Sequence, residues 1–183
     1  MALKATIFKA ELQVSDLDRH HFGTYTLTLA RHPSETDERL MVRLVAFALN
    51  ADERLEFGRG LSAEDEADLV KPDLTGAIEL WIDVGLPDER EVRKAAGRAR
   101  SVAVYLYGGR GAAMWWKQNE GAMAKLDNVA VFEIPGEATT QLGALAQRNM
   151  RVECTIQEGQ VYLHAGDAAV HFEPVVLKRV IPA

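Results

Sequence analysis

Ile78-Glu79-Leu80-Trp81-Ile82-Asp83-Val84, then Gly85-Leu86-Pro87-Asp88-Glu89 and, after a charged stretch, Val102-Ala103-Val104-Tyr105-Leu106-Tyr107 decide the fold. In the first run Ile78, Leu80, Ile82 and Val84 alternate with Glu79, Trp81 and Asp83, the period-two pattern of a strand whose two faces differ. Asp83 belongs to the more polar face. Pro87 stands where a helix accepts a proline. Asp88, Glu89 and Glu91 fill the first turn, and Arg93, Lys94, Arg98 and Arg100 follow, as the helix dipole favours. The predicted helix ends near Arg100. Residues 102–107 are continuously apolar, which marks a strand covered on both faces. Strand, helix and buried strand in succession make a βαβ unit with a parallel pair.

The same reading extends outward in both directions. Residues 3–14 are moderately alternating, and Tyr25, Leu27 and Leu29 alternate with Thr24, Thr26 and Thr28. The turn-forming Ser15-Asp16-Leu17-Asp18 between them predicts an antiparallel hairpin. A helix then begins at Pro33-Ser34, with Asp37 three residues after Ser34 as a capping-box variant and Leu40, Met41, Leu44, Val45, Phe47 and Ala48 at helical spacing. Between Asp52 and Asp68 seven acids meet two arginines, and Gly58 and Gly60 break any long helix. A short strand is expected over 55–57, then a polar connection. Beyond Gly108-Gly109 the pattern predicts a helix carrying Trp115 and Trp116, a strand over 129–134 and a helix over 136–148. Val152, Cys154 and Ile156, then Val161 and Leu163, then Val170 and Phe172 read as a C-terminal antiparallel meander. The fold class is α/β, with an α+β mixed sheet.

The 183 residues carry 21 Lys plus Arg against 27 Asp plus Glu, a formal charge of −6, and 48% are hydrophobic. That length suits one domain over 1–183 with a core large enough to dispense with disulfides. The single cysteine, Cys154, excludes a disulfide framework and any Cys-rich zinc site and reads as a small buried hydrophobe. No signal-type apolar segment opens the chain and no run reaches 18 apolar residues, so the expectation is a cytoplasmic monomer without a membrane segment. The net acidity argues against a globally basic nucleic-acid binder but leaves local patches open.

Several chemistries lack their motifs. No serine has the G-x-S-x-G context, and His20, His21, His32, His164 and His171 show no metal spacing. Met114 occupies the third glycine position after Gly109-Arg110-Gly111, and no P-loop exists, so no organic cofactor is expected. Carboxylates remain. Pro72-Asp73 precedes Asp83 by ten residues, and Glu35 and Glu38 lie at the start of the first helix. Such acids can hold Mg²⁺, which binds through one or two carboxylates and keeps several waters. Glu79 shares the face of Asp83, but four strand residues span roughly 13 Å, too far for both to ligate one ion. Arg90, Arg93, Lys94, Arg98, Arg100, Arg110 and Lys117 meet only Glu91 between residues 90 and 117, a basic segment in an acidic chain suited to phosphates. Solvated surface charge and N-terminal helix bias account for the same acids and bases without any site. Of the two neighbouring tryptophans, one can be core while the other faces a cleft.

Five blocks carry a resemblance: Leu29-Ala30-Arg31-His32-Pro33-Ser34-Glu35, Ala51-Asp52-Glu53-Arg54-Leu55, residues 79–89, Trp115-Trp116 and Thr155-Ile156-Gln157. Over residues 1 to about 173 the chain resembles the bacterial YaeQ family. That resemblance implies a variation on the PD-(D/E)XK nuclease fold, whose core is a helix, a three-stranded hairpin sheet, a helix and a parallel strand. It implies that Pro72-Asp73 matches the PD element, Asp83 the acid of the third element, and Glu35 or Glu38 the acid of the first helix. The motif lysine two residues beyond Asp83 is replaced by Gly85, which makes Lys94 the relocated candidate. The expectation is a metal-dependent phosphodiesterase acting on nucleic acid. Asp73, Asp83 and Glu38 or Glu35 would hold Mg²⁺ (or Mn²⁺), Lys94 would support the attacking water, and Arg90, Arg98 and Arg110 would meet phosphates. The alternative is a non-catalytic module that keeps the fold to bind nucleic acid or protein.

Overall fold

The computed structural model describes residues 4–58 and 65–183; the expected Gly60 break and part of the acidic run lie outside them. β1 (Thr6–Asp16) and β2 (His21–Arg31) form the predicted hairpin, antiparallel without interruption from Thr6↔Arg31 to Asp16↔His21. Phe8, Ala10, Leu12, Val14, Leu27 and Leu29 bury one face, while Lys9, Glu11, Gln13, Thr24, Thr26 and Thr28 point to water. The C-terminal meander is also present, as β8 (Asn149–Gln157), β9 (Gln160–Ala165) and β10 (Ala168–Phe172). β8 lies alongside β1 in parallel, from Lys9↔Asn149 to Asp16↔Ile156, so hairpin and meander share a five-stranded sheet ordered β10-β9-β8-β1-β2.

Helix α1 (Asp37–Leu49) packs on the inner face of that sheet. It starts two residues later than the Ser34 cap predicts, because the Ser34 hydroxyl is engaged by His32 Nδ1 at 2.6 Å. Thr36 caps instead, its Oγ1 accepting from the Arg39 amide at 3.1 Å. Every residue from Leu40 to Ala48 is buried, since α1 lies between two sheets.

The second sheet contains β3 (Glu56–Phe57), β4 (Leu69–Pro72), β5 (Ile78–Val84), β6 (Ala99–Leu106), β7 (Val129–Glu133) and β11 (Val175–Lys178), ordered β11-β7-β6-β5-β4-β3. β5, β6 and β7 are parallel, and β5 and β6 flank α2 (Glu89–Arg98) as the βαβ reading predicts. Leu80, Ile82, Val84, Ala103 and Tyr105 face α1. Trp81, Val102, Val104 and Leu106 face α2 and α3 (Arg110–Met123), so β6 is covered on both sides. α4 (Gly136–Ala144) packs on α1 and ends four residues short of the sequence expectation, the chain being drawn into β8 from Asn149. The segment before Pro72, read as a polar connection, holds β4, and β11 has no counterpart in the sequence reading. Among the described residues no helix is long and apolar enough to cross a membrane.

Candidate functional site

β4 and β5 are joined by a turn over residues 73–77, where Asp73 Oδ1 accepts from the Thr75 amide at 2.8 Å, the Thr75 hydroxyl at 2.6 Å and the Ala77 amide at 3.0 Å. Counting from that turn fixes what lies opposite Asp83. The pairs Lys71↔Leu80, Val70↔Trp81 and Leu69↔Ile82 put Asp68, just before β4, opposite Asp83. Directly opposed residues of an antiparallel pair have Cβ atoms about 5 Å apart, and like charges there repel.

Asp68 and Asp83 line one cleft of about 350 Å³ at the C-terminal end of β5, together with Arg39, Glu66, Trp81, Gly85, Asp88, Glu91 and Tyr107. The crevice beyond the carboxyl ends of parallel strands is the usual ligand position in sheets of this kind. Asp83 Oδ1 accepts from Trp81 Nε1 at 2.9 Å. Burial, and after it the Asp68 charge, push the Asp83 carboxyl up to about 7, against smaller downward effects from the Trp81 bond and Arg39. Asp68 is held more firmly: Oδ1 accepts from Arg39 Nη2 at 2.7 Å and Oδ2 from the Val84 amide at 2.8 Å. Arg39 also donates to the Val84 carbonyl at 3.2 Å and to Glu35 Oε1 at 3.0 Å. Burial disfavours its charge, but Asp68 and Glu35 more than offset that and hold its pKa above the ordinary value.

The expected residues are thus partly gathered and partly dispersed. Asp83 is in the cleft. Asp73 lies at the other end of the hairpin, about 17–20 Å along the strand by residue rise, with Oδ1 committed to its own turn. Its hydrogen bonds from Thr75 keep its carboxyl below the usual range. Glu35 is buried in ion pairs with Arg43 and Arg39, and Glu38 is half-buried with Cγ against Gly143 of α4; neither lines the cleft. The first helix therefore offers the cleft a cation, Arg39, where an acid was expected. Lys94 is exposed beside Glu91 at 3.4 Å and Asp65 at 3.8 Å, and reaches the cleft only through Glu91. Gly85 has φ +106, a conformation a lysine adopts only under strain, which is a backbone reason for glycine at this position.

Arg90 and Arg110 do not line the cleft; both are exposed, with no ion pair among the described residues. Arg98 stands over the Trp81 ring at 5.0 Å and donates to the Asp65 carbonyl at 3.3 Å. Trp115 is core, its Nε1 donating to the Pro87 carbonyl at 2.6 Å, and Trp116 is half-buried. Among the described residues no group of three or more His, Cys, Asp or Glu is arranged to hold a metal ion. The cleft supplies a carboxylate pair, which suits an ion that keeps most of its waters. Asp68, Arg39, Glu91 and Tyr107 escaped the sequence reading. For Asp68 a signal was available, since pairing back from the 73–77 turn sets it against Asp83.

A sequence profile described as YaeQ protein matches residues 1–174. The chain is 49% identical over 164 residues to a protein of Salmonella typhi and 48% identical over 164 residues to one of Escherichia coli K12, both named "Uncharacterized protein YaeQ". In each case the match covers 89% of this chain and 90% of the relative. The fold is similar to the crystal structure of YaeQ protein from Xanthomonas axonopodis pv. citri, with TM-score 0.93, 53% identity and coverage of 97% and 99% of the two chains. It is also similar to that from Pseudomonas syringae, with TM-score 0.91, 32% identity and coverage of 96% and 97%. Matched in sequence over nearly its whole length and in fold throughout, the chain belongs to the YaeQ family.

Proposed function

We propose that the chain is a Mg²⁺-dependent phosphodiesterase acting on nucleic acid, with its site in the Asp68–Asp83 cleft and Mn²⁺ as a substitute ion. One observation carries this reading: two carboxylates opposed across β4 and β5 share a cleft, and their burial and repulsion hold one of them half-protonated near neutrality. A divalent cation between them would remove that repulsion. When bound there, Mg²⁺ supplies an acidified water and takes up charge developing on a phosphoryl oxygen. Trp81 orients Asp83, and Arg39 fixes Asp68 from the side of α1. Asp88, the N-cap of α2, accepts from the Arg90 amide at 2.8 Å and brings a further carboxylate to the cleft, which favours a cation there. The exposed Arg90 and Arg110 are the proposed contacts for flanking phosphates. The order α1, β3-β4-β5, α2, β6 agrees with the nuclease-like core that the family resemblance implies.

A second reading, a non-catalytic binding module, draws on a different observation: both oxygens of Asp68 are already engaged, and glycine replaces the motif lysine. Cleavage assays separate the two. Single- and double-stranded DNA and RNA are incubated with wild type and Asp83→Ala in Mg²⁺ or Mn²⁺, with circular dichroism confirming the fold. Wild-type cleavage that falls at least a hundredfold in the variant supports the enzyme. Equal activity in both assigns the cleavage to a contaminant or another site, and no cleavage of any substrate favours the binding module.

A further inference from the structure

Four strand edges bound the two sheets. Three are blunted: β3 has two residues, β11 has four and a register shift between Val176 and Lys178, and β10 has five. β2 is different. It has eleven residues in unbroken register with β1, no proline, and no charged side chain before Arg31. Folded proteins ordinarily shorten, bulge or charge so long an edge, because its free backbone groups are a template for another strand.

Which groups are free follows from the ladder. The Lys9 amide donates to the Arg148 carbonyl, so odd-numbered amides of β1 point toward β8 and even-numbered ones toward β2. The β2 partners of those even residues are Gly23, Tyr25, Leu27 and Leu29. Phe22, Thr24, Thr26, Thr28 and Ala30 therefore project N–H and C=O away from the sheet. Among the described residues only the Ala30 carbonyl is met from outside the ladder, by Arg43 Nη2 at 2.9 Å.

We propose that two copies of this chain pair antiparallel along β2 about a dyad at Thr26, making one continuous ten-stranded sheet. Thr26 then opposes itself, Thr24 opposes Thr28, and Phe22 opposes Ala30. With the Ala30 carbonyls held by Arg43, the open residues exchange about eight hydrogen bonds, within the range of a typical protein interface. Threonine pairs across strands are favourable, and the cation that ends the strand, Arg31, falls opposite His21 of the other copy. The Glu11 carboxylates beside Thr26 stand three strand spacings or about 14 Å apart, beyond the screening length of physiological salt, while Asp52, Glu53 and Arg54, which line a groove with residues 21–26, bring charges of both signs to the edge. The same dyad covers two unexplained apolar residues. Phe22, 64% exposed, lies over Ala30 of the other copy, whose small side chain leaves the ring room to reach Ile7, 42% exposed and paired with Ala30 in the hairpin. Self-complementarity about the central residue favours a second copy over an unrelated strand. In this proposal a dimer takes the place of the monomer expected from sequence alone.

The test is sedimentation of the full chain up to about 100 µM, which detects dimers with a Kd tighter than that value. Wild type sediments as a dimer. Thr26→Lys, which brings two ammonium groups to the dyad beside the Glu11 of each copy, and Phe22→Ser each raise the Kd at least tenfold, while Thr26→Val keeps the dimer. A wild-type monomer overturns the proposal and leaves the edge to a strand from another protein. A dimer with unchanged Kd in Thr26→Lys also overturns it, by placing the interface elsewhere.

Discussion

Arg43 closes two hydrogen bonds on Glu35, Nε to Oε1 at 2.8 Å and Nη2 to Oε2 at 2.9 Å, with both side chains fully buried. Glu35 Oε1 also accepts from Arg39, so this one carboxylate neutralises the buried cation of α1 and steadies the guanidinium that reaches Asp68. Removing one partner of a buried pair leaves an uncompensated charge in the core, at a cost of about 3–5 kcal/mol. Glu35→Ala is expected to lose stability on that scale in urea titration. Glu35→Gln, which keeps one acceptor, loses less.

Asp73 and Asp83 part company in a paired experiment. Asp73 belongs to a turn far from the cleft, so Asp73→Ala is expected to lower Tm slightly and leave cleavage and Mn²⁺ binding unchanged. Asp83→Asn is expected to abolish both. It also removes a buried charge that faces Asp68, and so gains stability on the order of 2 kcal/mol at pH 8 in metal-free buffer. A chemical denaturation series with and without EDTA measures this opposition between function and stability.

Restoring the motif lysine at its usual place is expected to fail. Gly85 has φ +106 and a Cβ there meets the Tyr107 ring at 3.9 Å, so there is space but the backbone conformation is wrong. Gly85→Lys and Gly85→Ala should both cost about 1–2 kcal/mol, and Gly85→Lys should not raise turnover. A gain in cleavage rate for the lysine variant would overturn the backbone argument for glycine at this position.

At alkaline pH two buried groups weaken the fold in sequence. Burial pushes the Cys154 thiol, ordinarily near 9, up to about 12, and the Tyr105 phenol, ordinarily near 10, up to about 12. Each prefers its neutral form in the folded state, so its stabilising effect is complete below the unfolded pKa and is lost as pH rises toward the folded one. Above the titration of Asp83, Tm is expected to be level from about pH 8 to 9 and to fall between 9 and 12, with the onset moved to about 10 in Cys154→Ala. Thiol reagents at pH 8 should leave native Cys154 unmodified and label it promptly in denaturant.

What was legible in the sequence is what local periodicity encodes. Residues 78–107 announce a strand, a helix and a doubly covered strand because side-chain alternation reports which faces are buried, and β5, α2 and β6 follow that script. Asp83 could be singled out for the same reason, a carboxyl on the mixed face of a strand. Asp68 could not be seen from its neighbours, because its meaning comes from a partner fifteen residues away across a hairpin, and the Pro72-Asp73 dipeptide drew attention to the wrong end of that hairpin. The parallel match of β1 with β8 and the addition of β11 are likewise decided between distant segments, where each strand's own pattern is silent about its neighbour.

The β1–β8 pairing also sets a timetable for synthesis. The hairpin leaves the ribosome first, but the strand that covers the β8 side of β1 begins only at Asn149. At about 5–20 residues per second, β1 waits roughly 6–24 s with its apolar face and one edge bare. Only when β8 emerges does the sheet close over α1. Truncated chains ending before residue 149 should therefore be captured by chaperones or aggregate, although every element of the candidate cleft has already been made.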